Sequence, residues 1–183
     1  MKFHPSVISH LQQWPQPSDE GRAEEELGRW NQLFGRTTGN LGARINYFER
    51  LLLMVFGNSP YLSSCMFREP EFVKTVVSRG FKESYEGLLH ETELLAGLTG
   101  PNQAFLSSFS RSLRILRRKQ SLLVGIAELV GVWDTRAAAA AQTQFAEAVL
   151  EVCIKNLLAM ASVEEDLSLG GQSDPAQGSG LII

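Results

Sequence analysis

Cysteine, histidine and long apolar runs are all scarce in this 183-residue chain. The two cysteines, Cys65 and Cys153, lie far apart inside helical apolar patterns and read as small buried thiols. Of the three histidines, His4 and His10 sit near the start and His90 stands alone, with no cysteine or second histidine at metal-ligand spacing. No serine sits in a nucleophile elbow, and Gly170, Gly171, Gly178 and Gly180 lack the Lys-Ser/Thr partner of a phosphate loop. No window reaches the roughly 18 apolar residues of a membrane span, and Met1 to Trp14 lacks the apolar run of a signal peptide. The expected location is a reducing cytoplasm, with no membrane partner. Charge of one sign is missing too: 20 acidic residues against 17 basic ones give a net charge of −3, so no overall field draws the chain to nucleic acid.

What is abundant is helical periodicity. With 44% apolar residues the chain is long enough to bury a sizeable core. After a leader interrupted by Pro5, Pro15 and Pro17, Leu27, Trp30, Leu33 and Phe34 recur at helical intervals up to Gly35. A second helix is expected from about Leu41 to Phe56, with Ile45, Phe48, Leu52 and Val55 on one face and Gly57 at its end. Ser59-Pro60 and then Pro70 each announce a short helix, because proline at the first helical position gives up an N–H that has no partner anyway. These run to about Met66 and to Gly80. Tyr85, Leu88, Leu89, Thr92, Leu95 and Leu98 mark another helix, which Gly100-Pro101 ends. The longest is expected between Asn102 and Val132, its stripe of Leu106, Phe109, Leu113, Leu116, Leu123, Ala127 and Val130 interrupted by Gln120 and open to a bend at Gly125. Asp134 is placed to cap a last helix to about Glu165, with Phe145, Val149, Val152 and Leu157 as its buried stripe.

The sequence therefore predicts an all-α fold, a helical bundle of about six helices. Its expected divisions are a partly disordered leader over 1–21, a helical domain over 22–167, a flexible linker over 168–180 and the start of a further domain at 181–183. Four glycines, three serines and one proline give residues 168–180 their linker composition. Leu181, Ile182 and Ile183 read as the first half of a buried β-strand.

Little of this carries chemistry. The carboxylate runs Glu24-Glu25-Glu26 and Glu164-Glu165-Asp166 read as solvated faces, with no acid/base or metal role. One basic constellation stands out: Arg111, Arg114 and Arg118 share a face of the long helix, with Arg117 beside them and Lys119 next in line. Guanidinium groups pair bidentately with phosphate oxygens, so this strip suits a nucleotide or an acidic neighbouring domain. A solvated face or internal ion pairing is the plainer reading. Nucleic acid is disfavoured by the acidic chain and the lack of interleaved aromatics.

Three stretches carry a resemblance: Asn58-Ser59-Pro60-Tyr61-Leu62, Arg68-Glu69-Pro70-Glu71-Phe72, and Ser112 to Gln120. In this order, over roughly Leu41 onward, they resemble the glutamine synthetase adenylyltransferase/adenylyl-removing family. The resemblance implies a parent enzyme that moves AMP from ATP onto a tyrosine of glutamine synthetase. A second such domain removes the AMP by phosphorolysis, under the control of a nitrogen-signalling regulatory protein. It implies ATP and magnesium for the parent, held by a Gly-Gly turn and paired aspartates expected after Ile183 and hence outside this chain. By the same token Arg111, Arg114, Arg117 and Arg118 are candidates to meet the nucleotide or its domain, and no catalytic or metal-binding residue is expected here. The sequence departs from the family where Gln120, Ser121, Leu122 and Leu123 replace Glu and then Met-Leu-Arg, and where Ala127 replaces a commonly basic residue; Glu128, Gly131 and Asp134 keep the pattern. The expected function is the N-terminal helical part of such an enzyme, inactive alone. The alternative is a stand-alone helical interaction module without catalysis.

Overall fold

The computed structural model describes residues 3–35, 47–97 and 103–163. Among these residues there are eight α-helices and no strand. They are α1 (Pro5–Ile8), α2 (Glu20–Phe34), α3 (Tyr47–Asn58), α4 (Pro60–Arg68), α5 (Pro70–Arg79), α6 (Phe81–Leu94), α7 (Gln103–Leu129) and α8 (Thr135–Val163), with single 3-10 turns at Leu11–Gln13 and Leu95–Gly97. The all-α expectation holds; the helix number exceeds six partly because residues ahead of Asp19 add α1. The expected linker and strand start, 168–183, lie outside the described residues, as do Leu41 and Ile45 of the second expected helix.

Local chemistry sets the helix starts. Asp19, Ser59 and Asp134 each accept a hydrogen bond from a first-turn N–H, from Arg22, Leu62 and Ala137 respectively, and so satisfy donors that have no helical partner. Pro60 and Pro70 open α4 and α5. At Gly80 the chain turns from α5 into α6 with φ +89°, a region that side chains with a Cβ avoid, and a Cβ there would also strike the His4 ring at 2.6 Å.

Packing joins two layers. α2 lies along α3, and Trp30 meets Phe34, Phe48, Phe56 and Phe67 at centroid distances of 4.6–6.2 Å. α6, α7 and α8 pack on one another, and α4 ties the layers together by packing on both α3 and α7. At the α4–α7 contact a Cβ on Gly125 would come within 2.8 Å of Leu62, so glycine allows the close approach. One contiguous core runs from Val7 to Val152.

Two stripe residues fall on the other side of their helices. Leu33 is exposed, because it lies about 100° round α2 from Phe34 and the apolar arc centres on Leu27, Trp30 and Phe34. Leu157 is also exposed, about 140° round α8 from buried Val152. The residues read as a leader also behave differently from a free tail. Val7 and Trp14 are buried, the His4 N–H donates to the Val77 carbonyl at 2.8 Å, and Asn58 Nδ2 donates to the Gln16 carbonyl at 3.0 Å.

Candidate functional site

The basic segment of α7 divides into two parts with different surroundings. From Gln120 onward the helix is enclosed on most sides: Leu122, Leu123, Val124, Ile126, Ala127 and Val130 are all buried. Before that point, among the described side chains, only Phe109 and Leu116 are buried, and the opposite side faces water. The five cations lie on this more open stretch.

Arg118 is not free. Its Nε and Nη2 both donate to Glu69 Oε1, at 2.8 and 2.6 Å, across the junction between α4 and α5. Both side chains are largely shielded from water, which strengthens the pair and makes either partner costly to leave alone. Lys119 donates to Glu91 Oε2 of α6 at 2.8 Å and stands over the Phe72 ring at 5.6 Å. These two cations fasten α7 to its neighbours, the ion-pairing role that the sequence left open.

Arg111, Arg114 and Arg117 are exposed and have no hydrogen-bond or ion-pair partner among the described residues. Successive members are three residues apart, so they spiral along the helix about 4.5 Å apart in rise. The expected four-arginine strip thus reduces to three unpaired guanidiniums plus one structural pair. Glu69 and Glu91 escaped the sequence reading because their partners lie 49 and 28 residues away, beyond any local pattern.

The departures at Gln120, Leu123 and Ala127 are all interior: Leu123 and Ala127 are fully buried, and Gln120 is buried with no partner for Nε2. Interior packing accounts for apolar residues at Leu123 and Ala127, where the resemblance leads one to expect charge.

A groove of about 420 Å3 opens between α5 and α6 beside this junction. Arg79 and Glu83 lie 3.7 Å apart on its wall, Lys119 meets Glu91 there, and Glu69 and Glu71 on the same wall are held by Arg118 and Lys74 from outside it. Most of its charged groups therefore already have ion-pair partners. Among the described residues no three His, Cys, Asp or Glu side chains converge to hold a metal ion. His90 lies 3.8 Å from exposed Glu93, and His4 Nδ1 meets Ser6 Oγ at 2.7 Å. Burial pushes the Cys65 and Cys153 thiols up, at Cys65 against the opposing pull of a Tyr61 hydrogen bond and of Arg118 and Arg68. Thiols raised in this way are poor nucleophiles. No helix is long and apolar enough to cross a membrane among the described residues.

The described residues therefore define an all-α unit that carries three exposed arginines along one helix. Comparison with known proteins gives it a family. The model of the glutamate-ammonia ligase adenylyltransferase family matches residues 49–183, and the chain belongs to that family. Among curated relatives, the bifunctional glutamine synthetase adenylyltransferase/adenylyl-removing enzyme of Brucella suis is 26% identical over 165 residues, covering 90% of this chain and 16% of the relative. The enzyme of the same name from Bartonella henselae is 23% identical over 93% of this chain and 16% of its own length. That from Caulobacter vibrioides is 24% identical over 96% and 17%. The chain thus spans about a sixth of the length of these relatives. No solved structure matches it.

Proposed function

We propose that this chain is a helical supporting segment of an enzyme that transfers AMP to glutamine synthetase, and that it contributes none of the reacting groups itself. The family match over residues 49–183 carries the reading. In it, Arg111, Arg114 and Arg117 face the nucleotidyl-transferring part of the same enzyme, where three exposed guanidiniums meet either acidic side chains or the phosphates of ATP. Arg118 acts indirectly, by holding α7 against Glu69. ATP and magnesium belong to that other part of the enzyme. Glutamine synthetase is the substrate protein, and a nitrogen-signalling regulator sets the direction of the reaction. The cytoplasm, where glutamine synthetase works, is the proposed location.

The test is AMP transfer from ATP labelled at the α-phosphate onto purified glutamine synthetase. The whole protein containing this chain is expected to label it, and the 183-residue chain alone is not. Arg111→Glu with Arg114→Glu in the whole protein is expected to cut labelling at least tenfold, the effect of losing about 1.4 kcal/mol of favourable interaction. Labelling by the 183-residue chain itself, or none by the whole protein, defeats the reading.

A non-catalytic helical interaction module is the second reading, favoured by the half-exposed leucines Leu150 and Leu157. It requires the 183-residue chain to capture a protein partner with no nucleotide present.

A further inference from the structure

The facing sides of α5 and α6 repeat one spacing. Phe72, Thr75 and Arg79 on α5, and Ser84, Gly87 and Glu91 on α6, each stand three and then four residues apart, so each set lies along one side of its helix. Together they wall the groove between the two helices for about 10 Å. Its ends are marked by charge. Lys119 reaches both the Phe72 ring and Glu91 at one end, and Arg79 lies against Glu83 at the other. The middle is kept open by the lack of a side chain at Gly87. Glycine weakens the interior of a helix, yet a Cβ at Gly87 would meet nothing within 4 Å. No close contact requires glycine there, and the room it leaves belongs to the groove.

Two polar groups on the walls lack partners among the described residues. Ser84 is 5% exposed, and its Oγ meets no donor or acceptor. Ser63, Thr75, Ser78 and Thr92 each donate the hydroxyl to the carbonyl four residues earlier, the usual resort of such a side chain in a helix; Ser84 does not. A buried hydroxyl left in this way calls for an occupant. The other group is Arg68. The four carboxylates of the walls, Glu69, Glu71, Glu83 and Glu91, already face Arg118, Lys74, Arg79 and Lys119 in turn. Arg68 stands just ahead of α5, on the Lys119 side, exposed and without a hydrogen bond or ion pair. The groove therefore has one positive charge to spare, on a planar fork that matches a carboxylate or a phosphate.

We propose that the α5–α6 groove binds a small organic anion of about sugar-phosphate size, with its carboxylate or phosphate on Arg68, its body over Gly87 and a hydroxyl or carbonyl oxygen on the Ser84 hydroxyl. The volume of about 420 Å3 suits such a molecule, since ligand sites run from about 300 to 1,000 Å3. With few apolar walls, the affinity is of the order of millimolar. The site uses none of Arg111, Arg114 and Arg117 and does not depend on the AMP-transfer reading.

The experiment titrates the 15N-labelled 183-residue chain with glucose 6-phosphate, gluconate, glucose and inorganic phosphate, following backbone amide shifts. At least one of the two sugar anions is expected to shift Arg68, Ser84 and Gly87 together and to saturate in about the millimolar range. Which of them does so tells whether the natural ligand ends in phosphate or in carboxylate. Glucose is expected to leave these amides unmoved. Arg68→Gln and Gly87→Leu are each expected to weaken binding about tenfold or more, the first by removing the fork and the second by filling the groove. Gly87→Leu places its side chain in open space, so it is expected to melt no lower than the unsubstituted chain. No shift with either sugar anion up to about 20 mM overturns the proposal. So does binding that Gly87→Leu leaves intact. Shifts centred on Arg111, Arg114 and Arg117, reproduced by inorganic phosphate, overturn it as well, because they show anions drawn to exposed guanidiniums rather than held in the groove.

Discussion

Gly57 and Gly125 sit where the helices come closest to other parts of the chain. A Cβ on Gly57 would lie 2.3 Å from Pro17 Cβ and 2.8 Å from its Cα, so relief requires the backbone to move. Gly57→Ala is expected to cost about 1–3 kcal/mol in urea unfolding, the range for overpacking a tight site. Gly125 meets the ends of the Leu62 side chain instead, and Gly125→Ala is expected to cost less. The Arg118–Glu69 pair gives a second test. Arg118→Ala leaves a shielded carboxylate without its donor, with an expected loss of roughly 2–4 kcal/mol, whereas Arg118→Met with Glu69→Leu should recover most of it. Gln120 works the other way: its Nε2 is buried and unpartnered, so Gln120→Met is expected to raise stability by about 1 kcal/mol, read as a higher urea midpoint. A fall of similar size would mean that the amide has a partner in solution.

At the level of the element, the sequence was most legible where the signal is local. Ser59-Pro60, Pro70 and Asp134 mark helix starts because a cap acts on N–H groups two or three residues away, and all three open helices as read. Asp134→Ala is expected to lower stability by about 1 kcal/mol, measured as a shift of the urea midpoint without a change of slope. The stripes were legible only in part. Periodicity shows which residues share a face but not how wide an arc the neighbours cover, which is why Leu33 and Leu157 were assigned to the interior and stand outside it. The candidate site split along the same line. That Arg111, Arg114 and Arg118 share a face follows from helix geometry alone; that Arg118 is spent on Glu69 depends on how α4 and α5 fold back onto α7.

For the whole molecule, the segment ahead of α2 behaves as part of the body. Val7 and Trp14 join the same core as Val130 and Phe145, so removing residues 1–18 is expected to shift the single thermal transition of the chain downward by well over 5 °C. An unchanged midpoint would show that the segment contributes nothing to the core. This too was illegible locally, since its prolines signal a loop and its partners, Gly57, Asn58 and Val77, lie some 40 to 70 residues further on. The strap sets an order of events during synthesis. Trp14 leaves the ribosome first, yet the surfaces that receive this segment are not complete until α3 and α5 have emerged. At about 5–20 residues per second, that is a wait of roughly 3–15 s with an indole and a valine side chain in water. Residues 3–18 are thus made before the surfaces that bury them and can settle only after those surfaces have emerged.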